Sequence, residues 1–351
     1  MRGIVFSDLH LGNFRPFSRI DKQGYNTRLM NGILVLRQIV DYAKKNRIEL
    51  ILFCGDLLDK GDKPTPDILE LLVATFRMLI RCKIRMVCLV GNHDQASLNG
   101  LINIVSPFRD YVTVIDRVEN DLEIVGLNVV GMPARRDMED LKAELKKCPE
   151  NVPGKKGIFL GHFYCKEILE ADVAGLSEKM ECVEFSQLPQ GFDYYFLGDY
   201  HRPVVVPELN LESVGAVMHH DFGDATRPQG HFIDIDFDTG EKKYIPVTAP
   251  MFVDVKDRKF PTKDDIPYDY YRVHVKDKKQ RDKIQSKLDD SWNVKYIFES
   301  QPKEAQELRV DIDPTLTPMD AIQSYVEYLG GSPELAQAGV DYFQKAASAR
   351  L

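Results

Sequence analysis

The sequence predicts an α/β fold: two sheets stacked with helices outside, then a small β-α-β unit and a C-terminal helical hairpin. Three observations predict it. Short β-rich apolar runs near the start end in glycine or acidic residues, and stretches with helical spacing separate them. Beyond Tyr111 strand-like runs dominate, with few long helical stretches between them. A Lys/Asp/Pro stretch at Val255–Pro267 has no periodicity and marks a boundary before the last two pieces.

Taken in order, Arg2–Ser7, Leu50–Cys54 and Met86–Val90 are continuous apolar runs of the kind that parallel strands buried on both faces require. Ile33, Leu36, Val40 and Ala43 predict the first helix. Ile68, Leu72, Phe76 and Leu79 predict the second, with Thr65 as N-cap and Pro66 in its first turn. Strand, helix, strand, helix, strand reads as βαβ units. Val112–Ile115, Leu122–Met132, Ile158–Leu160, Tyr194–Leu197, Val204–Val206, Phe232–Phe237 and Tyr244–Val247 follow as further strands. Tyr270–Val275, a polar helical run to Leu288 and Val294–Phe298 form the small β-α-β unit. Thr317-Pro318-Met319-Asp320 opens a helix, Gly330-Gly331 breaks it, and Ser332-Pro333-Glu334 opens a second. The expected division is 1–255, 265–312 and 315–351.

The chain has 351 residues, 44% hydrophobic and 28% charged, which is ordinary globular composition and excludes a disordered tail or a disulfide-stapled miniprotein. No window approaches a membrane span, and Met1–Asp8 lacks the apolar core of a signal peptide. The six cysteines form no CxxC pair and read as reduced thiols, so a cytoplasmic protein with no membrane partner is expected. The net charge of −8 argues against indiscriminate nucleic-acid binding but leaves room for a local basic face.

Chemistry-bearing residues cluster after the strands. They are Asp8-Leu9-His10, Gly55-Asp56-Leu57-Leu58-Asp59, Gly91-Asn92-His93-Asp94, Gly161-His162 and Gly198-Asp199-Tyr200-His201. Open α/β sheets place their sites in the loops after the carboxyl ends of strands. Each fragment alone reads more readily as a turn or cap; five in order, each behind its own strand, do not. Mixed oxygen and nitrogen donors without a thiolate suit Mn²⁺, Fe or Zn²⁺.

On these residues the chain resembles the calcineurin-like metallophosphoesterases, whose pattern is D-x-H, G-D-x-x-(D), G-N-H-(D/E), G-H and G-H-x-H. The resemblance implies a four-layer αββα sandwich and two divalent metal ions, Mn²⁺ with Mg²⁺ as the alternative. It implies that Asp8, His10 and His201 bind one metal, that Asp56 bridges, and that Asn92 and His162 bind the other. Asp199 stands where the family has a histidine ligand to the second metal. His93 takes the role of general acid or transition-state stabiliser, Asp94 that of its orienting carboxylate, and Asp59 lies near the leaving group.

Within that superfamily, Gly55–Lys60 followed by Pro64-Thr65-Pro66 looks like the corresponding stretch of DNA-repair exonucleases. Ser213–Ala216, Asp221-Phe222-Gly223-Asp224 and Gly230–Asp236 resemble the block after their last ligand. The order of catalytic region, β-α-β cap and terminal helices resembles the nuclease subunit of SbcCD, in a compact layout like that of phage recombination endonucleases. The implied activity is a metal-dependent DNA exonuclease and endonuclease of recombination and repair. The implied partners are DNA, an SMC-like coiled-coil ATPase and a second copy of the chain. A stand-alone phosphatase or phosphodiesterase is the alternative, and a metal-free scaffold a third. Seven Lys/Arg against two acids between Arg272 and Lys287 form either a phosphate-tracking face (Arg272, Lys276, Lys278, Lys279, Arg281) or a solvated helix surface. Arg135-Arg136 is a weaker basic candidate, and His219-His220 is expected to pack or to face solvent rather than to touch DNA. The stripe Met319, Ile322, Val326, Leu329, Leu335, Tyr342 and Phe343 is expected to bind the partner.

Overall fold

The computed structural model describes residues 1–61, 63–97, 100–118, 122–256, 269–288, 293–298, 317–328 and 332–348. The chain divides into two compact units, Met1–Ile297 and Phe298–Leu351. The first half contains β1 (Arg2–Phe6), α1 (Thr27–Asn46), β2 (Leu50–Phe53), α2 (Pro66–Arg81), β3 (Arg85–Leu89), β4 (Thr113–Ile115), β5 (Leu122–Ile124), β6 (Leu127–Met132), α3 (Met138–Leu145), β7 (Lys156–His162) and α4 (Lys166–Asp172). There follow β8 (Tyr194–Gly198), β9 (Val204–Val206), β10 (Leu211–Ser213), β11 (His231–Asp236), β12 (Lys242–Pro246), β13 (Phe252–Val255), β14 (Tyr270–Val275), α5 (Lys278–Gln285) and β15 (Val294–Phe298). The terminal helices are α6 (Pro318–Tyr328) and α7 (Pro333–Ser348).

Two six-stranded mixed sheets form the centre, in the orders β12-β11-β1-β2-β3-β4 and β5-β6-β7-β8-β10-β9. In the first, β1 to β4 are parallel and β11 runs antiparallel to β1. In the second, β6, β7, β8 and β10 are parallel. Alternation along each strand explains the layering. In β1, Ile4 and Phe6 pack with α1 and α2, while Val5 packs with Ile158, Leu160 and Phe196 of the other sheet. In β7, Ile158 and Leu160 face the first sheet, whereas Phe159 joins Leu141 of α3 and Ile168 of α4. Both faces are apolar because both are covered, giving four layers, αββα. Each large aliphatic or aromatic side chain so buried contributes about 1.5–3 kcal/mol.

The predicted helices form with their apolar stripes inward. Asn26 caps α1 by accepting from the amides of Arg28 and Leu29. Thr65 stands at the N-cap of α2, but its hydroxyl is taken by the Asn13 side-chain amide, at 2.9 Å. The run Leu122–Met132 is two strands rather than one, because Val125 and Gly126 both adopt positive φ and close a hairpin turn. The short strand β10 pairs with β8 and β9, and its three residues were too few to stand out by pattern. Helices α3 and α4, one of eight residues and one of seven, were missed for the same reason.

A third sheet, β13-β14-β15, carries α5 on a small core of Val255, Tyr271, Val273, Val275, Ile284 and Leu288. Its first strand pairs in parallel with β14 from Phe252↔Tyr270 to Val255↔Val273. In the second unit α6 and α7 pack on one another where Gly339 meets Ile322: a Cβ there would lie 2.9 Å from Ile322 Cγ2.

Candidate metal and catalytic centre

Parallel strands deliver the predicted residues to one edge. The loops after β1, β2 and β3 carry Asp8 and His10, Asp56, and Asn92 and His93; β7 ends at His162, and the loop after β8 carries Asp199 and His201. The first two loops are stitched together: the amides of Leu9 and His10 donate to the Asp56 carbonyl at 2.9 and 3.0 Å. Nine non-glycine residues among those described have positive φ, and Asp8, His10, Asp56 and Asp199 are four of them. Such backbones cost of order 1–3 kcal/mol each and persist only where their surroundings over-determine them. Gly91 is required by contact: a Cβ there would lie 2.0 Å from Asp56 Oδ1 and 2.3 Å from its amide nitrogen.

The side chains converge. His10 Nε2 lies 3.2 Å from His201 Nε2, 3.8 Å from Asp8 Oδ1 and 3.5 Å from Asp56 Oδ2. His162 Nε2 lies 3.3 Å from the same Asp56 Oδ2, 3.0 Å from Asn92 Oδ1 and 3.9 Å from Asp199 Oδ1. One ligand atom each from Asp8, His10 and His201 falls within a 4.8 Å cluster, and so does one each from Asp8, Asp56 and His162. Asp56 therefore faces both groups. His162 Nδ1 lies 2.6 Å from the Cys54 carbonyl and must donate there, which leaves Nε2 directed at Asp56 and Asn92. Imidazole nitrogens opposed to each other across buried carboxylates are the donor set of a borderline or hard divalent cation, so these residues fit metal ions.

The electrostatics agree. Burial works against ionised Asp56, but His162 and His10 hold its carboxyl below the usual range. Burial alone would lower His162, yet Asp56, Asp8 and Asp199 push it well above an ordinary histidine. Asp199 is pushed up to about 6 by burial, with Asp8 and Asp56 adding to it against His162. Its amide also donates to Asp8 Oδ1 at 3.2 Å, so Asp199 touches the cluster through both backbone and side chain.

His93 stands apart. Its ring is exposed and lies edge-on to His10 at 4.8 Å, and its Nδ1 lies 2.8 Å from the Asp59 carbonyl oxygen. That carbonyl, rather than Asp94, orients the ring. The Asp94 carboxylate is wholly buried and accepts from the amides of Asp56 (3.1 Å), Leu58 (2.9 Å) and Gly91 (3.0 Å), so it fastens two site loops together. Burial and Asp56 nevertheless push its carboxyl up to about 7. A cavity of about 500 Å³ opens beside His93, lined by Asp59, Lys60, Gly61, Asn92, Gln95, Arg135 and Arg136. Arg135 is fixed there by Glu144, at 2.7 Å, and by the Ala134 carbonyl.

Sequence reasoning missed three residues behind the cluster. Asp224 Oδ1 lies 3.7 Å from His201 Nδ1, and Arg227 pairs with the same carboxylate oxygen at 2.9 Å. His220 Nε2 donates to the Asp8 carbonyl at 2.8 Å and its ring lies edge-on to His10 and His201, at 4.7 and 5.4 Å between centroids. His219 packs, as expected, accepting from the Phe252 amide. The only signal for Asp224 was the Asp221–Asp224 block, which carried no role.

Elsewhere the candidates separate. Arg272 makes a two-pronged pair with Asp254, at 3.1 and 2.7 Å, and Arg281 pairs with Asp282. Lys276, Lys278 and Lys279 are exposed. In the terminal unit Met319, Ile322 and Val326 are half-buried, while Leu335, Tyr342 and Phe343 are exposed. Leu329 lies outside the described residues.

The sequence profile of the calcineurin-like phosphoesterases matches residues 1–203. The DNA double-strand break repair protein Mre11 of Saccharolobus solfataricus is 27% identical over 200 residues, covering 56% of this chain and 48% of that protein. A component of the nuclease SbcCD from Staphylococcus epidermidis is 22% identical over 262 residues, covering 67% of this chain and 66% of its own length. The chain thus spans about half the length of the first of these relatives. A dimetal phosphatase structure from Danio rerio is 12% identical, covers 60% of this chain and 85% of its own, and gives a TM-score of 0.37, too low to bear on the fold.

Proposed function

Because this chain belongs to the calcineurin-like phosphoesterase family, we propose that it is a metal-dependent nuclease that hydrolyses DNA phosphodiester bonds in recombination and repair, working with an SMC-like coiled-coil ATPase. The family supports hydrolysis of phosphoesters with divalent metals; DNA as substrate, Mn²⁺ as metal and the ATPase partner are this reading's own steps. The observation that carries the choice of DNA is the cavity beside His93. A group leaving past His93 faces it, and Lys60 and Arg136 line it beside one carboxylate, Asp59, while Arg135 at its wall is paired with Glu144. A polynucleotide, with a further phosphate on its leaving strand, matches that charge; a small neutral leaving group has no use for it.

In this reading Asp8, His10 and His201 hold one cation, Asn92, His162 and Asp199 the other, and Asp56 faces both. When bound, such a pair polarises the phosphoryl oxygens and supplies the attacking water. His93 protonates the departing oxygen: Nδ1 is committed to the Asp59 carbonyl, so Nε2 is the atom that transfers the proton. Asp94 keeps the loops of Asp56 and His93 in register. The nuclease domain is residues 1–255, with its last strand β13 (Phe252–Val255) joining the cap sheet; 265–312 is the rest of that cap, whose exposed lysines Lys276, Lys278 and Lys279 track phosphates, and 315–351 a segment that docks on the ATPase.

The test is cleavage of linear duplex and single-stranded DNA with Mn²⁺, Mg²⁺ or EDTA. Metal-dependent cleavage that disappears in His93→Ala is expected, as is an Arg136→Ala chain with raised KM for DNA and unchanged KM for bis-p-nitrophenyl phosphate. Robust His93-dependent hydrolysis of a phosphomonoester with none of DNA would replace the nuclease with a phosphatase.

A further inference from the structure

We propose that Asp224 is a positioning residue for His201, and that the segment His219–Arg227 couples the ligand cluster to the cap sheet through Phe222. The inference rests on the reading of the cluster as a metal centre and goes beyond its ligand set.

At the cluster end, His201 has Nε2 turned to His10 and Asp8 and Nδ1 turned to Asp224. A carboxylate behind a ligating imidazole fixes the ring's orientation and makes its far nitrogen more basic. Asp224 is itself immobilised, since Oδ2 accepts the His220 amide at 2.7 Å and Oδ1 pairs with Arg227. Arg227 is buried and donates to the carbonyls of Ala216 and Met218. His220 supports the other ligand loop through its bond to the Asp8 carbonyl. One short segment thus reaches both Asp8 and His201 from behind.

At the cap end, Phe222 sits in a socket. Its ring centroid lies 5.0 Å from Phe252 of β13 and 5.5 Å from Phe17, and the Arg272 guanidinium of β14 lies 4.4 Å above it. Asp254 holds Arg272 in that pose. The bidentate pair therefore orients a cation over an aromatic ring rather than toward solvent. Arg28 of α1 completes the joint, lying 5.1 Å over Phe252 and donating to the His220 carbonyl at 2.6 Å. His219 accepts the Phe252 amide. Any displacement of β13 and β14 pulls on Phe222, two residues from Asp224, so cap placement and His201 geometry move together.

The test is calorimetric titration of the full chain with Mn²⁺, alongside the electron paramagnetic resonance signal of a coupled Mn²⁺ pair and the melting temperature. Asp224→Asn, nearly isosteric, is expected to weaken one of two Mn²⁺ by roughly 10–100-fold, the usual cost of removing a partner behind a ligand. Asp224→Asn also leaves Arg227 buried without its charge partner, so Phe222→Ala serves as a second variant that leaves the cluster intact. It is expected to weaken the same Mn²⁺ and diminish the coupled signal while the chain stays folded, with Phe222→Tyr restoring both. Folded Phe222→Ala and Asp224→Asn chains that bind both ions as the parent does overturn the proposal. Loss in Asp224→Asn alone keeps Asp224 as a positioning residue and overturns the link to the cap. A parent that binds no Mn²⁺ overturns the metal reading itself, and since no arm uses DNA, failure of the nuclease reading is told apart.

Discussion

In the ligand cluster each functional atom is held from several sides; in the terminal hairpin the largest apolar side chains are barely held. Asp56 is 1% exposed, its carboxylate meets His10, His162 and the His93 amide, and its backbone is bonded to the Asp8–His10 loop. In the hairpin only Ala336 and Val340 are buried among the described residues, while Tyr342 is 78% exposed and Leu335 59%. The contrast separates two ways of working. The cluster is built for rigidity, whereas the hairpin leaves apolar surface outside, the kind of patch that marks an interaction site when it is contiguous.

The harshest way to break the comparison is Gly91→Ala. The added methyl has no room beside Asp56: it strikes the carboxylate, which His10, His162 and the His93 amide hold in place, and the amide nitrogen behind it. Overpacking costs typically about 1–3 kcal/mol, and the upper end is expected here together with loss of measurable Mn²⁺ binding. Gly126→Ala is the control: it meets nothing within 4 Å and carries only the strain of its φ of +82°. Thermal melts and Mn²⁺ titration check both. Equal behaviour of the two variants would show that the cluster is far more yielding than its contacts imply.

His93→Ala sharpens the same point from inside the site. The ring is exposed and, although it lies beside His10 and Asp56, is not one of the proposed ligands, so its removal should change Mn²⁺ affinity and melting temperature little. Turnover on DNA should fall by roughly 10²–10⁴, the usual contribution of a positioned acid. The loss should shrink on bis-p-nitrophenyl phosphate, whose leaving group needs no proton. A uniform loss on both substrates would make His93 an electrostatic stabiliser instead.

How much of this was legible in the sequence follows the same division. Asp8, His10, Asp56, Asn92, His162 and His201 were readable because each follows a strand-like run and parallel strands bring such ends to one edge. The roles of Asp94 and Asp59 were not. A carboxylate folded back under three amides looks, in sequence, like one beside a histidine, and a backbone carbonyl that orients a ring has no side-chain signature at all. Asp224 and His220 reach the site only through tertiary structure, from beyond the last predicted ligand. In the hairpin the single stripe dissolved because Met319 and Ile322 turn to α7, Gln344 donating to the Met319 sulfur at 3.2 Å, while Tyr342 and Phe343 face outward.

The cap lies between the extremes and gives a smaller, pH-dependent effect. Arg272 holds the Asp254 carboxyl down to about 2, with His274 assisting against burial. A depressed carboxyl stabilises the fold above its unfolded value, 3.8, and that contribution is lost as pH falls toward about 2. The parent's melting temperature should therefore decline more steeply over that window than that of Asp254→Asn. Parallel slopes would mean that the pair adds nothing to the cap, and Arg272 would then be free to act as a DNA contact.

The smallest effect on the enzyme itself belongs to the hairpin. Replacing exposed Tyr342 and Phe343 by serine removes apolar surface without opening a cavity, so stability should change by less than about 0.5 kcal/mol and turnover on short DNA not at all. Val340→Asp, by contrast, places a charge in the small interface where Ala336 and Val340 are buried, and should cost helix content on circular dichroism. If the outward face docks a coiled-coil ATPase, the serine pair should weaken capture of that partner's coiled-coil base by tenfold or more while Met319→Leu, inside the hairpin, leaves it intact. Undiminished capture by the serine pair would move the docking surface elsewhere on the chain. The apolar face would then be an ordinary amphipathic exterior, and the contrast between the two regions would reduce to one of packing density alone.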